Sequence, residues 1–159
     1  MINDLLKEGL KIVFCGTALG NKSAILKQYY AGSGNKFWRT LYEVGLTSIQ
    51  LRPDEYSKLF DYGIGLTDLV KTTYGNDNQL AESDFDIPSF KKKIEKYQPK
   101  LVCFNGKNAA KKFTNGYVDY GLLNEKIGIT NFYVAPSTSG AANGFWNISY
   151  WKELTKMIK

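Results

Sequence analysis

Histidine is absent from the chain. That excludes Ser-His-Asp and Cys-His nucleophilic mechanisms, His-ligated zinc and any imidazole acid or base. Cysteine is scarce. Cys15 and Cys103 are the only two, too few for an iron–sulfur cluster or a four-cysteine zinc site. Both lie inside apolar runs, IVFC and LVCF, the setting of buried, reduced thiols in a cytoplasmic protein. No run approaches the ~18 apolar residues of a membrane span, and nothing at the amino terminus reads as a signal peptide. Repeats, low-complexity tracts and linker-like stretches are missing too, so residues 1–159 read as one domain. Any acid or base chemistry falls to Asp, Glu, Lys or Tyr, or to water held by amides.

What is present is the balance of a water-soluble globular domain, 43% hydrophobic and 23% charged, with 21 Lys and Arg against 15 Asp and Glu. Short apolar segments alternate with amphipathic ones. Lys11–Cys15 reads as a buried strand ending at a glycine loop, GTALG, from Gly16 to Gly20. Phe37, Trp38, Leu41 and Val44 recur at helical spacing, with Asn35 placed to cap that helix and Gly45 to end it. Pro53 suits the first position of a helix carrying Tyr56, Leu59 and Phe60. Ile64–Val70 is ambiguous between strand and loop, and Thr72–Ser83 is polar, as a mobile surface loop would be. A helix bearing Phe90, Ile94 and Tyr97 stops at Pro99, and the strand Leu101–Phe104 follows. Gly106 opens a short helix, Ile129–Ala135 is a strand, and PSTSGAANG from Pro136 to Gly144 is a loop of small residues. Asn147 caps a last helix with Ile148, Trp151 and Leu154. This alternation predicts a three-layer α/β/α domain on a central, mainly parallel sheet of about four strands. Ligands of such sheets sit beyond the carboxyl ends of the strands, where the two small-residue loops fall.

Four segments carry chemistry. GTALGNKS from Gly16 to Ser23 nearly matches a phosphate-binding loop, but the glycine spacing is one residue short and Asn21 precedes Lys22. A tight strand-to-helix turn fits the same residues. Tyr29-Tyr30-Ala31-Gly32-Ser33-Gly34-Asn35 sets two aromatics beside glycine-rich backbone and an amide. That combination suits stacking of a flat heterocycle, or simply a core tyrosine pair before a turn. Asp68, in GLTDLV, is the carboxylate with the most apolar neighbours; desolvation would make it a stronger base, while an Asx turn is its structural alternative. Lys91, Lys92, Lys93, Lys96 and Lys100 read as a solvated helix face.

Read together, VFCG, YYAGSGNKFWRTL, LRPDEYSKLFDYGIGLTDLV, FNGK and PSTSG resemble the mismatch-specific uracil/thymine-DNA glycosylases of the uracil-DNA glycosylase superfamily. The resemblance runs from Leu10 to Trp151. It implies a monomer that binds double-stranded DNA containing uracil or a mismatched or damaged base. It implies hydrolysis of the N-glycosidic bond of the flipped base, initiating base excision repair, with no metal, cofactor or membrane involved.

By the same resemblance, Gly16, Thr17, Ala18, Gly20, Tyr30 and Asn35 form the base pocket, with Tyr30 stacking on the base. The family's first motif is Gly-x-Asn-Pro-Gly, whose asparagine holds the attacking water; here that position is Ala18. The second, Asn-Pro-Ser-Gly, matches Ser137-Thr138-Ser139-Gly140, again without its asparagine. Ser137, Ser139, Gly140, Ala141, Ala142 and Asn143 then make the DNA-binding wedge loop, with Ala141 at the family's hydrophobic wedge position. With Ala18 unable to hold water, Asp68 is the expected catalytic base. Backbone N–H groups of the Thr17 and Tyr30 loops are expected to receive the departing base. A non-catalytic binder of damaged DNA and a nucleotide-binding phosphate-loop protein are the alternatives.

Overall fold

The structure, a computed structural model, describes residues 2–158. Five strands, β1 (Ile12–Gly16), β2 (Ile64–Asp68), β3 (Leu101–Asn105), β4 (Gly121–Ile127) and β5 (Thr130–Ala135), form one sheet in the order β2-β1-β3-β5-β4. The first four strands of that order run parallel and β4 pairs antiparallel with β5. The helices are α1 (Asn21–Leu26), α2 (Phe37–Glu43), α3 (Ile87–Tyr97), α4 (Lys107–Thr114) and α5 (Ile148–Thr155).

Both faces of the sheet are covered, which is why β1 and β2 are buried at every position. The pleat divides β1 between two cores. Ile12 and Phe14 join Phe37, Leu41, Tyr133, Trp151 and Leu154 beneath α2 and α5. Val13 and Cys15 join Phe90, Ile94, Phe104, Phe113 and Phe132 beneath α3 and α4. Aromatic contacts tie these layers. Phe14 stacks on Trp151 at 5.4 Å and meets Phe37 edge-on at 5.3 Å. Each such pair contributes about 0.5–1.5 kcal/mol beyond its buried area. Cys15 and Cys103 are free and wholly buried, and burial pushes both thiols up, leaving them unreactive.

The structure refines the expectation in four places. The sheet has five strands, because β4, mostly exposed and bearing Asn124, Glu125 and Lys126, shows no apolar run in sequence. Ile64–Asp68 resolves as a strand. The segment led by Pro53 is a 3-10 helix, Pro53–Tyr62. The small-residue loop contains a 3-10 turn, Gly140–Phe145, capped by Ser139, whose hydroxyl accepts the Ala141 N–H at 3.2 Å. Asn147 caps α5 as expected, accepting the Ser149 N–H at 3.0 Å.

Parallel register brings the strand ends to one edge. Gly16 lies beside Asp68, and Asn105 beside Ala135. The loops after β1, β2, β3 and β5 therefore surround a common space.

Candidate active site

Asp68 is the last residue of β2, and its neighbour across the ladder is Gly16. A Cβ on Gly16 would sit 2.8 Å from Asp68 Oδ1 and 3.6 Å from the Tyr30 hydroxyl. Only a bare α-carbon allows that approach, so Gly16 is the floor over which the carboxylate and the phenol converge. Asp68 is 4% exposed, and its Oδ2 has no hydrogen-bond partner among the described residues. It caps no turn. Burial pushes its carboxyl up to about 6, reinforced by the Asp4 charge and opposed by Lys71, Lys93 and the Gly16 backbone.

A charged cluster stands behind it. Asp4 pairs with Lys71 at 2.9 Å and Lys93 at 2.7 Å, and accepts the Thr67 hydroxyl at 2.8 Å. Burial alone would raise Asp4; the two ammoniums outweigh it and hold the carboxyl below its ordinary value. Lys93 is thus turned inward from the lysine face that the sequence suggests, whereas Lys91, Lys92 and Lys96 are exposed.

The adjacent tyrosines divide. Tyr29 is core: its hydroxyl donates to the Asn3 carbonyl at 3.0 Å and its own carbonyl accepts Trp38 Nε1–H at 3.1 Å. Tyr30 has φ of 52°, a left-handed backbone that costs a non-glycine residue about 1–2 kcal/mol. That turn aims its ring inward, stacked on Phe37 at 4.0 Å and 26°. Its hydroxyl is pushed well up by burial and by the Asp68 charge, against a hydrogen bond from Asn105.

Asn105, at the end of β3, is the residue that the sequence reading left without a role. Its Oδ1 accepts the Thr138 N–H at 3.0 Å and its Nδ2 donates to the Thr138 hydroxyl at 2.9 Å. It thereby fastens the Ser137–Gly140 segment to the Tyr30 side of the pocket. Its position one strand over from Gly16, at the same sheet edge, is the signal that could have found it.

The remaining expected residues fall into two groups. Around the floor, Ala18 is half-buried and offers only a methyl group. Its loop is held by Leu69 N–H to the Gly16 carbonyl at 3.0 Å and Val70 N–H to the Thr17 carbonyl at 2.7 Å. Thr17 donates its hydroxyl to Asp77 at 2.5 Å, and Gly20 leads into α1. The cap position of α2 is Lys36 and not the expected Asn35, which sits one residue earlier; its Oδ1 still accepts the Phe37 N–H at 3.0 Å and its amide NH2 is left for other use. On the Tyr30 loop, the Ala31 N–H is already taken by the Ser23 hydroxyl at 2.9 Å.

On the rim, Lys36 N–H donates to the Thr138 carbonyl at 2.8 Å, and a Cβ on Gly140 would sit 3.2 Å from the Gly34 carbonyl oxygen. These contacts seat the second small-residue loop against the Tyr30 loop. Ser137 and Ser139 are half-buried within it, while Gly140, Ala141 and Asn143 are exposed and Ala142 is half-exposed. The last four lie on the rim and add nothing to the Asp68–Tyr30 floor. Beyond Thr17 a groove of about 1010 Å³ continues past Asp77, Phe85, Lys91, Asn108 and Lys111.

An ionisable carboxylate with an unpartnered oxygen beside a tyrosine ring can accept a hydrogen bond from water. The fold is similar to the solution NMR structure of a putative uracil DNA glycosylase from Methanosarcina acetivorans, with a TM-score of 0.67 and 21% identity over 99% of this chain and 96% of that one. At that identity the likeness is one of fold. The family model described as the Uracil DNA glycosylase superfamily matches residues 4–155, nearly the whole chain. That span includes every residue of the Asp68 pocket, and the chain belongs to the Uracil DNA glycosylase superfamily.

Proposed function

We propose that this DNA glycosylase excises uracil flipped from double-stranded DNA, with activity extending to thymine or another deaminated or damaged base in a mismatch, and that Asp68 activates the water. The observation that carries this reading is the buried Asp68 carboxylate with its unpartnered Oδ2 beside Gly16 and Tyr30. Above about pH 6 the group is ionised. Oδ2 then accepts a proton from a water, the water oxygen attacks the anomeric carbon, and the bond to the base breaks with its electrons going to the base. The proton passes on to the departing base. Carboxylate charge also lowers the energy of the sugar cation that develops as the bond stretches. In this reading Tyr30 stacks on the base, and backbone N–H groups of the Thr17 loop supply the donors to its carbonyl edge. Such donors read a carbonyl without reading the substituent at C5, which favours a broad choice of base. No step calls on a metal or cofactor. Buried, free cysteines suit a protein working in the reducing cytoplasm.

Ala18 favours a second reading, a relative that binds damaged DNA without cutting it, because a methyl group cannot orient water. One assay separates the two. Labelled duplexes containing G·U, G·T or A·U are incubated with the protein, without added metal or nucleotide, and abasic sites are cleaved with alkali. Strand breaks from the wild type, falling roughly 100-fold in Asp68→Asn while lesion binding persists, are the expected result. Tight binding without breaks would establish the binder. Cleavage by Asp68→Asn at the wild-type rate would remove Asp68 from the mechanism.

A further inference from the structure

We propose that Phe145 is the side chain that enters the base stack when the target nucleotide leaves the duplex; this rests on the glycosylase reading above. The family's wedge position holds only Ala141, too small to occupy a base-sized gap. Four residues on, Phe145 closes the 3-10 turn Gly140–Phe145 and is 73% exposed. Every other side chain of that turn is small, from Gly140 through Ala141, Ala142 and Asn143 to Gly144. A Cβ on Gly144 would meet nothing within 4 Å, so the space beside Phe145 at this end of the turn is open.

An isolated exposed phenylalanine would be unremarkable; this one is mounted. Ser139 fixes the start of the turn through the Ala141 N–H. Trp146 fixes its end, with its N–H on the Asn143 carbonyl at 3.2 Å and its half-buried ring 6.0 Å from Trp151 in the core. Adjacent aromatics thus take opposite directions, Trp146 inward as anchor and Phe145 outward. The turn also belongs to the pocket, since it continues the segment that Asn105 and the Lys36 backbone hold through Thr138. Lys36 supplies charge: its ammonium contacts Asn143 Oδ1 and lies 5.3 Å from the centre of the Trp146 ring. A cation beside a projecting apolar ring at the mouth of a base pocket is complementary to a phosphate strand with an opened stack. Apolar side chains inserted between base steps compensate lost stacking in this way.

The test compares wild type, Phe145→Ala and Phe145→Leu on uracil in single-stranded and in double-stranded oligonucleotides under single-turnover conditions. A wedge matters only where a stack must be opened. Phe145→Ala is expected to lose roughly tenfold or more on duplex while staying within about twofold on single strands, with its melting temperature unchanged. Phe145→Leu should keep most duplex activity. In parallel, duplexes carrying 2-aminopurine next to uracil should brighten with wild type and not with Phe145→Ala. Equal loss on both substrates, or no loss on either, overturns the wedge. If wild type cuts neither substrate, the glycosylase reading fails by itself. The fluorescence then decides the wedge: brightening that depends on Phe145 sustains it, and brightening that is absent or independent of Phe145 overturns it.

Discussion

At the scale of single residues, the site holds two groups in states that an unconstrained chain would avoid. Asp68 is the clearer. Its carboxyl stands at about 6 when folded against 3.8 as an ordinary aspartate, so the folded protein holds that proton more tightly than the unfolded one. Stability is therefore greatest, as far as Asp68 decides it, below pH 4 and falls as pH rises toward 6. At about 1.4 kcal/mol per pH unit, the ionised group costs the folded state on the order of 3 kcal/mol at neutral pH. Asp68→Asn removes that dependence. Its melting temperature relative to wild type should climb between pH 4 and 6 and level off above, as calorimetry across that range would show. Excision should run the other way, rising with pH to a plateau above about 6, because the base must be ionised; a flat profile down to pH 4.5 would assign water activation elsewhere. Tyr30 is the second. Its ring stacks on Phe37, and in the reading proposed above it also stacks on the flipped base, a contact worth about 1–3 kcal/mol. Tyr30→Ala should lower the ratio of uracil-duplex to undamaged-duplex affinity by roughly tenfold. A proportional loss on both duplexes would make the ring core alone.

Elements show where a polar segment can be held without a core. Residues 72–85 contain two short 3-10 turns, Asp77–Gln79 and Glu82–Asp84, none of whose residues is buried. Yet Gly75 N–H reaches the Leu19 carbonyl at 2.9 Å, and Asp77 accepts from both Thr17 at 2.5 Å and Asn108 at 2.6 Å. One carboxylate thus clamps this segment to the first loop and to α4. Asp77→Ala should raise hydrogen exchange across 72–85 and in the Thr17 loop while leaving β1, β3 and β5 protected; unchanged exchange would show the segment is held by other contacts. Composition alone suggested a mobile loop, because the clamp joins residues far apart in sequence. The same distinction runs through the fold. IVFC, LVCF and the run into Ala135 announce β1, β3 and β5, because a strand buried on both faces must be apolar throughout. Edge strand β4 faces water and carries no such run. The burial of Asp68 was legible because its neighbours in sequence are apolar. The contact of Asn105 with Thr138 was not, since it joins residues far apart in the chain, and the exposure of Phe145 was not, since nothing in sequence marks it off from an ordinary core phenylalanine.

Over the whole molecule the charge is +6, too small for a tight non-specific DNA binder and enough for a steered one. Part of it is spent locally. Arg39 pairs with Glu43, Arg52 with Asp54, Lys58 with Glu55 and Lys156 with Glu153, exposed pairs that add little to stability. Lys71 and Lys93 are committed to Asp4 behind the site. Lys36 stands on the rim, and Lys91, Lys111 and Lys112 line the groove that continues from Thr17; in the proposed function these are the cations expected to meet a DNA strand. Lys112 is tied to Glu82, and Glu82 and Asp77 line the same groove, which weakens its pull on phosphate. With roughly four to six phosphates neutralised, log K should fall against log salt with a slope of about −4 to −5. Removing the charge of Lys91 and Lys111 together, as glutamines, should flatten that slope by about 1–2, equally for uracil-containing and undamaged duplexes, because phosphate contacts do not read the base. Fluorescence anisotropy on both duplexes between low and moderate salt measures this. A slope near zero for the wild type would mean the positive charge serves solubility alone. A flattening confined to the uracil duplex would instead move these lysines from the flanking strand into the pocket that reads the lesion.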